Sequence, residues 1–363
     1  MSQVYKNGDD SLFLYFLSLI VILLEKRLIE DDSSIGGKSM SIRRRDFLKS
    51  GALVVGGTFI PKNSRAGVRS LLFESENQKI PQRILGKTGE KLSIIGLGGM
   101  TLKGMELEQA KDVVEQAVER GINYFDVAPT YGDAELKMGP ALKPFKREDL
   151  FIACKTTQRD QEGAEEELHR SLKRMETQYF DLYQLHAIAD VEKDVKMALS
   201  SKGAIQTFIK AREQGLIKHL GFSAHSDEAA LYAMQNFDFD TILYPVNFCC
   251  HFQGKFDQNV LDEAIKKGMG ILAIKALAKQ KWSEGANREQ YPKCWYEPVT
   301  DPYLAQKALN WTLSQGVTAA VPPSNENLFK LASILGPHVR NINQEEADSL
   351  KELSKSLAPI FSA

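Results

Sequence analysis

From residue 93 onward, short apolar runs alternate with amphipathic stretches, and this repeats eight times. The runs are "SIIGLGG" (93–99), 124–128, "LFIACK" (150–155), "DLYQLHA" (181–187), "HLGFSA" (219–224), "TILYPVN" (241–247), "GILAIKAL" (270–277) and "AAVPP" (319–323). The first amphipathic stretch places Ala110, Val113, Val114, Ala117 and Val118 on one helical face and stops at Gly121. Others are expected near 135–143, along Leu168, Leu172 and Met175, and near 195–214, closed by Gly215. Near-continuous apolar strands separated by helices imply a parallel sheet covered on both faces. Eight such units in roughly 270 residues suit an α/β fold of the (β/α)8 type, a TIM barrel. A β-hairpin around Thr88-Gly89 is expected before it, and an extra C-terminal helix capped by Asn343 after it. A doubly wound open sheet is the competing topology, but no Gly-x-Gly-x-x-Gly follows the first strand.

In such a barrel, chemistry gathers at the C-terminal ends of the strands. Asp126 ends the second strand with Tyr131 on the loop after it, Lys155 ends the third and His186 the fourth. Singly, each has a bland reading as a cap, a packing ring, a solvated amine or a core histidine. Four at the same end of consecutive strands suggest a relay. Asp126 would keep Lys155 charged, Lys155 would lower the proton affinity of the Tyr131 phenol, and His186 would bind the same substrate oxygen. That is a general acid beside a carbonyl.

Two stretches carry a family resemblance. "GINYFDVAPTYGDAELKMGPAL" (121–142) resembles the aldo-keto reductase signature G-x-x-x-F-D-T-A-x-x-Y-G-x-A-E-x-x-L-G-x-A-L. "LHRSLKRMETQYFDLYQLH" (168–186) is similar to a second segment of that family, E-x-S-L-x-R-L-x-x-D-Y-x-D-L-x-x-x-H. The resemblance spans about residues 82–335. It implies Asp126, Tyr131, Lys155 and His186 as a catalytic tetrad. It also implies a nicotinamide cofactor across the strand ends, NADP(H) or NAD(H), and a small carbonyl or alcohol substrate.

By the same resemblance, Gly98, Gly99 and Met100 lie beside the cofactor, and Ser223 holds its carboxamide, with Asn247 and Lys275 nearby. Ala224, Leu243 and Ile274 replace an Asn, a Gln and an aromatic that are common there. Pro322 and Ser324, in "VPPS", open a helix suited to a phosphate. Basic residues that grip a 2′-phosphate are replaced by Pro323 and Phe329, with Lys330 offset. The stretch 279–301 reads as an irregular insertion at the catalytic face, either a lid or a self-packed loop, with Trp282, Trp295 and Tyr296 as a substrate wall. A non-catalytic, redox-sensing nucleotide module on the same barrel is the alternative function. A metal-dependent hydrolase has no clustered carboxylates or His-x-His to stand on.

The first 70 residues are a different material. Arg44, Arg45, Asp46, Phe47, Leu48 and Lys49 precede a weakly apolar run and a small-residue site ending at Ala66. They resemble the twin-arginine export signal R-R-x-F-L-K. Residues 1–39 form a leader of doubtful status, 40–66 the signal with Met40 as a candidate start, and 67–363 the catalytic segment. Export to the periplasm by the twin-arginine machinery is expected, the alternatives being a cytoplasmic protein or a membrane anchor at Leu12–Leu24. Folded export would let a tightly retained cofactor travel with the protein. With net charge −1 there is no basic excess to suggest nucleic acid. Cys249, Cys250, His251 and Cys294 match no zinc spacing.

Overall fold

The computed structural model describes residues 78–363. The leader 1–39, the arginine-pair segment 40–66 and the run Leu12–Leu24 lie outside those residues. An antiparallel hairpin, β1 (Gln82–Ile84) and β2 (Lys91–Ser93), comes first, and Gly89 takes a left-handed φ of 79° at its turn. The barrel strands are β3 (Leu97–Gly98), β4 (Tyr124–Asp126), β5 (Phe151–Thr156), β6 (Phe180–Ile188), β7 (Ile217–Ala224), β8 (Thr241–Pro245), β9 (Gly270–Ile274) and, last in sequence, β12 (Ala319–Val321). Each pairs in parallel with its sequence neighbour in the barrel. The ring closes where Ile95 bridges Ala320 in parallel, with Gly96 N–H on the Ala320 carbonyl at 3.0 Å. Closure excludes the open-sheet alternative.

The helices that follow the strands are α1 (Leu107–Glu119), α2 (Ala134–Leu142), α3 (Gln161–Arg174), α4 (Ala204–Glu213), α5 (Asp227–Asn236), α6 (Phe248–Phe252), α7 (Gln258–Lys266), α8 (Pro302–Leu313) and, after the last strand, α9 (Glu326–Leu335). The single helix expected near 195–214 is two pieces, a short helical stretch at 191–199 and α4. Gly203 marks the break, because a Cβ there would lie 2.3 Å from the Ala198 carbonyl oxygen. The final helix α10 (Gln344–Ser354) carries a capping box, Asn343 with Glu346.

Strand alternation divides the interior in two. One set of strand side chains faces the helices. The other fills the lumen: Tyr124, Phe151, Ala153, Leu182, Leu243, Leu272, Ala319 and Val321. Leu85 and Leu92 of the hairpin join this lumen cluster from below. Gly86 permits that docking, since its φ is 47° and a Cβ would lie 2.3 Å from the Gly270 nitrogen. The bottom is thus plugged with apolar side chains, leaving the opposite end for polar groups.

The insertion is more ordered than expected. Strands β10 (Ala278–Lys281) and β11 (Tyr296–Pro298) pair antiparallel at its base. Across them, Glu297 accepts from Lys279 and Gln280, each at 2.7 Å. Alternating charged residues beside Trp295 and Tyr296 concealed this ribbon, because the pairing depends on a partner strand some fifteen residues away.

Candidate active site

Period-two alternation carries Tyr124 and Asp126, Ala153 and Lys155, and Gln184 and His186 toward the lumen, so that the second of each pair reaches the upper mouth. Lys155 and Asp126 are both buried, and the ammonium donates to Asp126 Oδ1 at 2.5 Å and to the Val127 carbonyl at 3.1 Å. The Tyr124 hydroxyl donates to the other Asp126 oxygen at 3.2 Å. Tyr131 reaches the same place from the turn after β4, where its N–H bonds the Ala128 carbonyl at 3.0 Å. The Lys155 ammonium stands 5.2 Å from the Tyr131 ring centroid. His186 meets that ring edge-on, with centroids 5.6 Å apart and planes at 81°. The four sequence-selected residues therefore meet at one mouth.

The electrostatics differ from expectation at one point. Burial works against the Lys155 charge, yet Asp126 and Tyr131 outweigh it, and the amine holds its proton more tightly than usual. The Tyr131 phenol was expected to be acidified. Its proton affinity is raised instead: burial favours the neutral form more than the Lys155 ammonium favours phenolate, and Asp126 adds repulsion. The neighbouring carboxylate cancels much of the lysine's field. His186 is lowered to about 3, first by burial and then by the positive charges of Lys155, Arg159 and Lys275 and by His225. Its imidazole is neutral, and Nδ1 lies 3.4 Å from the Thr130 hydroxyl. At neutral pH the site thus holds a protonated phenol, an ammonium and a neutral imidazole.

The expected cofactor residues separate into groups. Gly98 and Gly99 form the end of β3 and the tight turn that includes Met100. A Cβ on Gly98 would lie 2.8 Å from the Val321 side chain, and one on Gly99 2.9 Å from that of Val127. Ser223 is buried at the end of β7 and accepts from Ala187 N–H at 2.7 Å, which leaves its own proton to donate. Asn247 is saturated. Its amide donates to the Lys275 and Ala278 carbonyls at 3.0 and 2.6 Å and accepts from Cys249 and Cys250 N–H. It has no proton left for a nucleotide and instead holds the exit of β9. Ser324 follows the buried Pro322 and precedes Asn325, which caps α9 by accepting from Asn327 and Leu328 N–H. The first turn of α9 carries Glu326, paired with Lys330 at 3.0 Å and with Gln109 at 2.9 Å.

Of the expected substrate wall, Trp282 is held within the insertion, its indole N–H on the Cys294 carbonyl at 2.9 Å. Trp295 is half exposed, and Tyr296 is buried behind it. The Lys275 ammonium lies 5.3 and 5.0 Å from their ring centroids. The insertion also reaches two other edges: Lys293 donates to the Thr101 carbonyl at 2.9 Å, and Asn325 to the Gln290 carbonyl at 3.3 Å.

Three features went unassigned in the sequence. His225 follows Ser223 by two residues, the spacing that aims both toward the mouth, and burial and the Lys275 charge lower it to about 4. The C-terminal tail returns over the barrel, placing Phe361 5.2 Å from the His225 ring and 5.8 Å from that of Trp295. Nothing local in the tail foretells this. Gln184, just below His186 on β6, is buried with no partner for either side-chain polar atom among the described residues.

Signature residues outside the mouth brace the scaffold. Glu135 pairs with Arg174 at 3.1 Å, Gly139 lets α2 approach Met175 where a Cβ would be 2.5 Å from its carbonyl carbon, and Asp181 binds Arg147 and Lys218 at 2.7 and 2.8 Å.

Residues 94–355 match the family model described as "Aldo/keto reductase family". The chain is 26% identical over 313 residues to "Uncharacterized oxidoreductase YqkF" of Bacillus subtilis (strain 168), covering 76% of this chain and 96% of that protein. It is 27% identical over 247 residues to "L-galactose dehydrogenase" of Arabidopsis thaliana, covering 63% and 74%. Its fold matches the holo form of the aldo-keto reductase AKR11C1 from Bacillus halodurans, with a TM-score of 0.60 at 21% identity over 77% of this chain and 98% of that one. The mouth, the closed barrel and the matched segment together establish that the chain belongs to the aldo/keto reductase family, whose members are NAD(P)H-dependent oxidoreductases.

Proposed function

We propose that the chain interconverts a carbonyl compound and its alcohol, with Tyr131 as the proton donor in reduction and acceptor in oxidation. The observation that carries this reading is the buried Asp126–Lys155 pair beside the Tyr131 ring. When bound, reduced nicotinamide would supply the hydride to the carbonyl carbon, while Tyr131 would give the proton to its oxygen, so that C=O becomes CH–OH. The Lys155 charge makes loss of the Tyr131 proton less costly as the substrate oxygen gains negative charge. Neutral His186 can donate to that oxygen without competing for the transferred proton. Tyr131→Phe should lower kcat by about two to four orders of magnitude with folding intact. Equal, negligible turnover of generic aldehydes by both forms would instead favour the redox-sensing nucleotide module.

Ser223 and the turn at Gly98–Met100 suit a nicotinamide nucleotide, whereas Asn247 does not contribute. Glu326 opens the helix after the stretch that the family resemblance gives to the cofactor's phosphate, Lys330 is engaged by it, and Pro323 and Phe329 are buried and uncharged. A 2′-phosphate would meet a carboxylate there, so NADH should serve at least as well as NADPH. Dissociation constants for both, read by fluorescence, test this preference. Export through Arg44 and Arg45 belongs to the same reading: cell fractionation of an Arg44→Lys/Arg45→Lys form should find it retained, and mass spectrometry of the exported form should find a carried nucleotide.

A further inference from the structure

Strand β6 carries an extra residue at the mouth. Its register with β7 pairs Leu185 with Phe222 and resumes at Ile188 with Ala224, so His186 and Ala187 together oppose the single residue Ser223. This is a β-bulge, a device by which a strand end re-aims a side chain. Ala187 takes a left-handed φ of 54°, a conformation that non-glycine residues adopt at a cost. Its N–H donates to the Ser223 hydroxyl at 2.7 Å, and pairing resumes where His225 N–H bonds the Ile188 carbonyl at 3.0 Å. One strained residue thus joins His186, which meets the Tyr131 ring, to Ser223 on the next strand.

Such strain persists only where the surroundings enforce it. Arg159, on the loop after β5, supplies the fastening. Its guanidinium donates to the His186 carbonyl at 2.8 Å, to the Thr157 carbonyl at 3.2 Å and to Asp194 Oδ1 at 3.0 Å. The other Asp194 oxygen accepts from Ala189 and Asp190 N–H at 2.9 and 3.0 Å. The ion pair therefore grips the bulge on both flanks, at residue 186 and at residues 189–190. Asp194 is itself held on the helical stretch at 191–199, whose cap Asp190 accepts from Lys193 N–H at 2.8 Å. Burial works against the Asp194 charge, but the two N–H groups and Arg159 outweigh it and hold its carboxyl below the ordinary value. At the opposite end of β5 and β6, Arg147 makes the same kind of three-way contact. It donates to the Leu150 and Tyr179 carbonyls at 2.9 and 2.8 Å and to Asp181 at 2.7 Å, far from the bulge.

Resting on the reductase reading above, we propose that Arg159 and Asp194 are positioning residues of the reaction: they lock the bulge at Ala187 and thereby hold the His186 imidazole against Tyr131. Neither residue handles the transferred proton or hydride. Their effect is on where His186 stands when the substrate oxygen gains charge, and a small misplacement there is costly to the rate.

The purified protein with its nicotinamide is assayed on 4-nitrobenzaldehyde as Arg159→Met, Asp194→Asn and Arg147→Met. In Arg159→Met, kcat should fall about ten- to a hundred-fold while KM for the aldehyde stays within about two-fold. Asp194→Asn should fall less, and Arg159→Lys or added guanidinium should restore part of the loss. Arg147→Met should lower the melting midpoint and leave kcat intact. Hydrogen exchange at the Ala187 amide supplies a readout without turnover. It should quicken at least about ten-fold in Arg159→Met and stay unchanged in Arg147→Met. Unchanged kcat in folded Arg159→Met overturns the proposal, even with faster exchange, since the bulge would then not govern His186. So does a fall in kcat without faster exchange, or an equal fall in Arg147→Met, which would make the loss one of general stability. If Arg159→Met does not fold, Asp194→Asn and Arg159→Lys carry the same comparison. If the native protein reduces no aldehyde yet Ala187 exchange responds to Arg159→Met alone, the lock stands and the reductase reading fails.

Discussion

Phe361, near the C-terminus, lies with its ring 5.2 Å from that of His225, at the end of β7. The same ring stacks on Phe256 at 5.3 Å and meets Trp295 edge-on at 5.8 Å. The tail is tied down on either side, since Lys281 N–H bonds the Ala358 carbonyl at 2.9 Å and Ala363 N–H bonds that of Gly254 at 3.0 Å. It therefore forms one wall of the mouth beside His225 and Trp295. Phe361→Ala should cost about 1–2 kcal/mol in stability, less than a fully buried phenylalanine. It should also raise KM for bulky carbonyls by several-fold while sparing small ones. Thermal melts and a substrate-size series check both, and a KM unchanged across the series would refute the wall.

If Tyr131 is the proton donor as proposed, the neutral His186 and the reluctant Tyr131 phenol should set the pH profile of carbonyl reduction. His186, lowered to about 3, does not titrate between pH 5 and 8. The phenol must carry its proton, and its affinity lies above the ordinary tyrosine value near 10. Reduction should be flat through neutrality and decline only in the alkaline range. A step with a midpoint near 6.5 that disappears in His186→Asn would contradict this.

The Asp126–Lys155 pair, catalytic in the proposed reading, is a buried ion pair in the fold. Removing one partner strands a buried charge, so Lys155→Met or Asp126→Asn alone should each cost about 3–5 kcal/mol of stability. The double form should be more stable than the sum of the two losses implies, because neither charge is then left alone. Urea denaturation of all four proteins measures the coupling, and strict additivity would argue against a desolvated pair.

Asp257 provides a second pH dependence, remote from the tetrad. It is fully buried with a left-handed φ of 85°, and His251 Nδ1 lies 2.8 Å from its Oδ1. Among the described residues its other oxygen has no hydrogen-bond partner. Burial raises its carboxyl from 3.8 to about 6, despite the opposing His251. The folded state therefore holds this proton more tightly than the unfolded chain does. The associated stability is fully present below pH ~4 and is lost as pH rises through ~6, amounting to about 3 kcal/mol. Asp257→Asn should flatten that slope and gain stability at pH 8 relative to the native residue. Denaturation midpoints at pH 4.5 and pH 8 give the comparison.

Local periodicity was enough to foresee the barrel, its hairpin, the Asn343 cap and the placement of Asp126, Lys155 and His186 at strand ends, because a period of two or 3.6 is written residue by residue. What lay beyond it was non-local. Whether Tyr131 is acidified depends on the balance of burial against a lysine already neutralised by a carboxylate. Whether Asn247 can serve a nucleotide depends on the carbonyls of Lys275 and Ala278, some thirty residues away. The left-handed bulge at Ala187 and the return of Phe361 over the mouth likewise arise only once distant segments pack together. The sequence alone thus determined which elements form and which residue types stand at their ends. The tertiary structure decided their charge states, their free hydrogen-bonding groups and the walls around them, since each of these is a sum over neighbours that the chain order does not reveal.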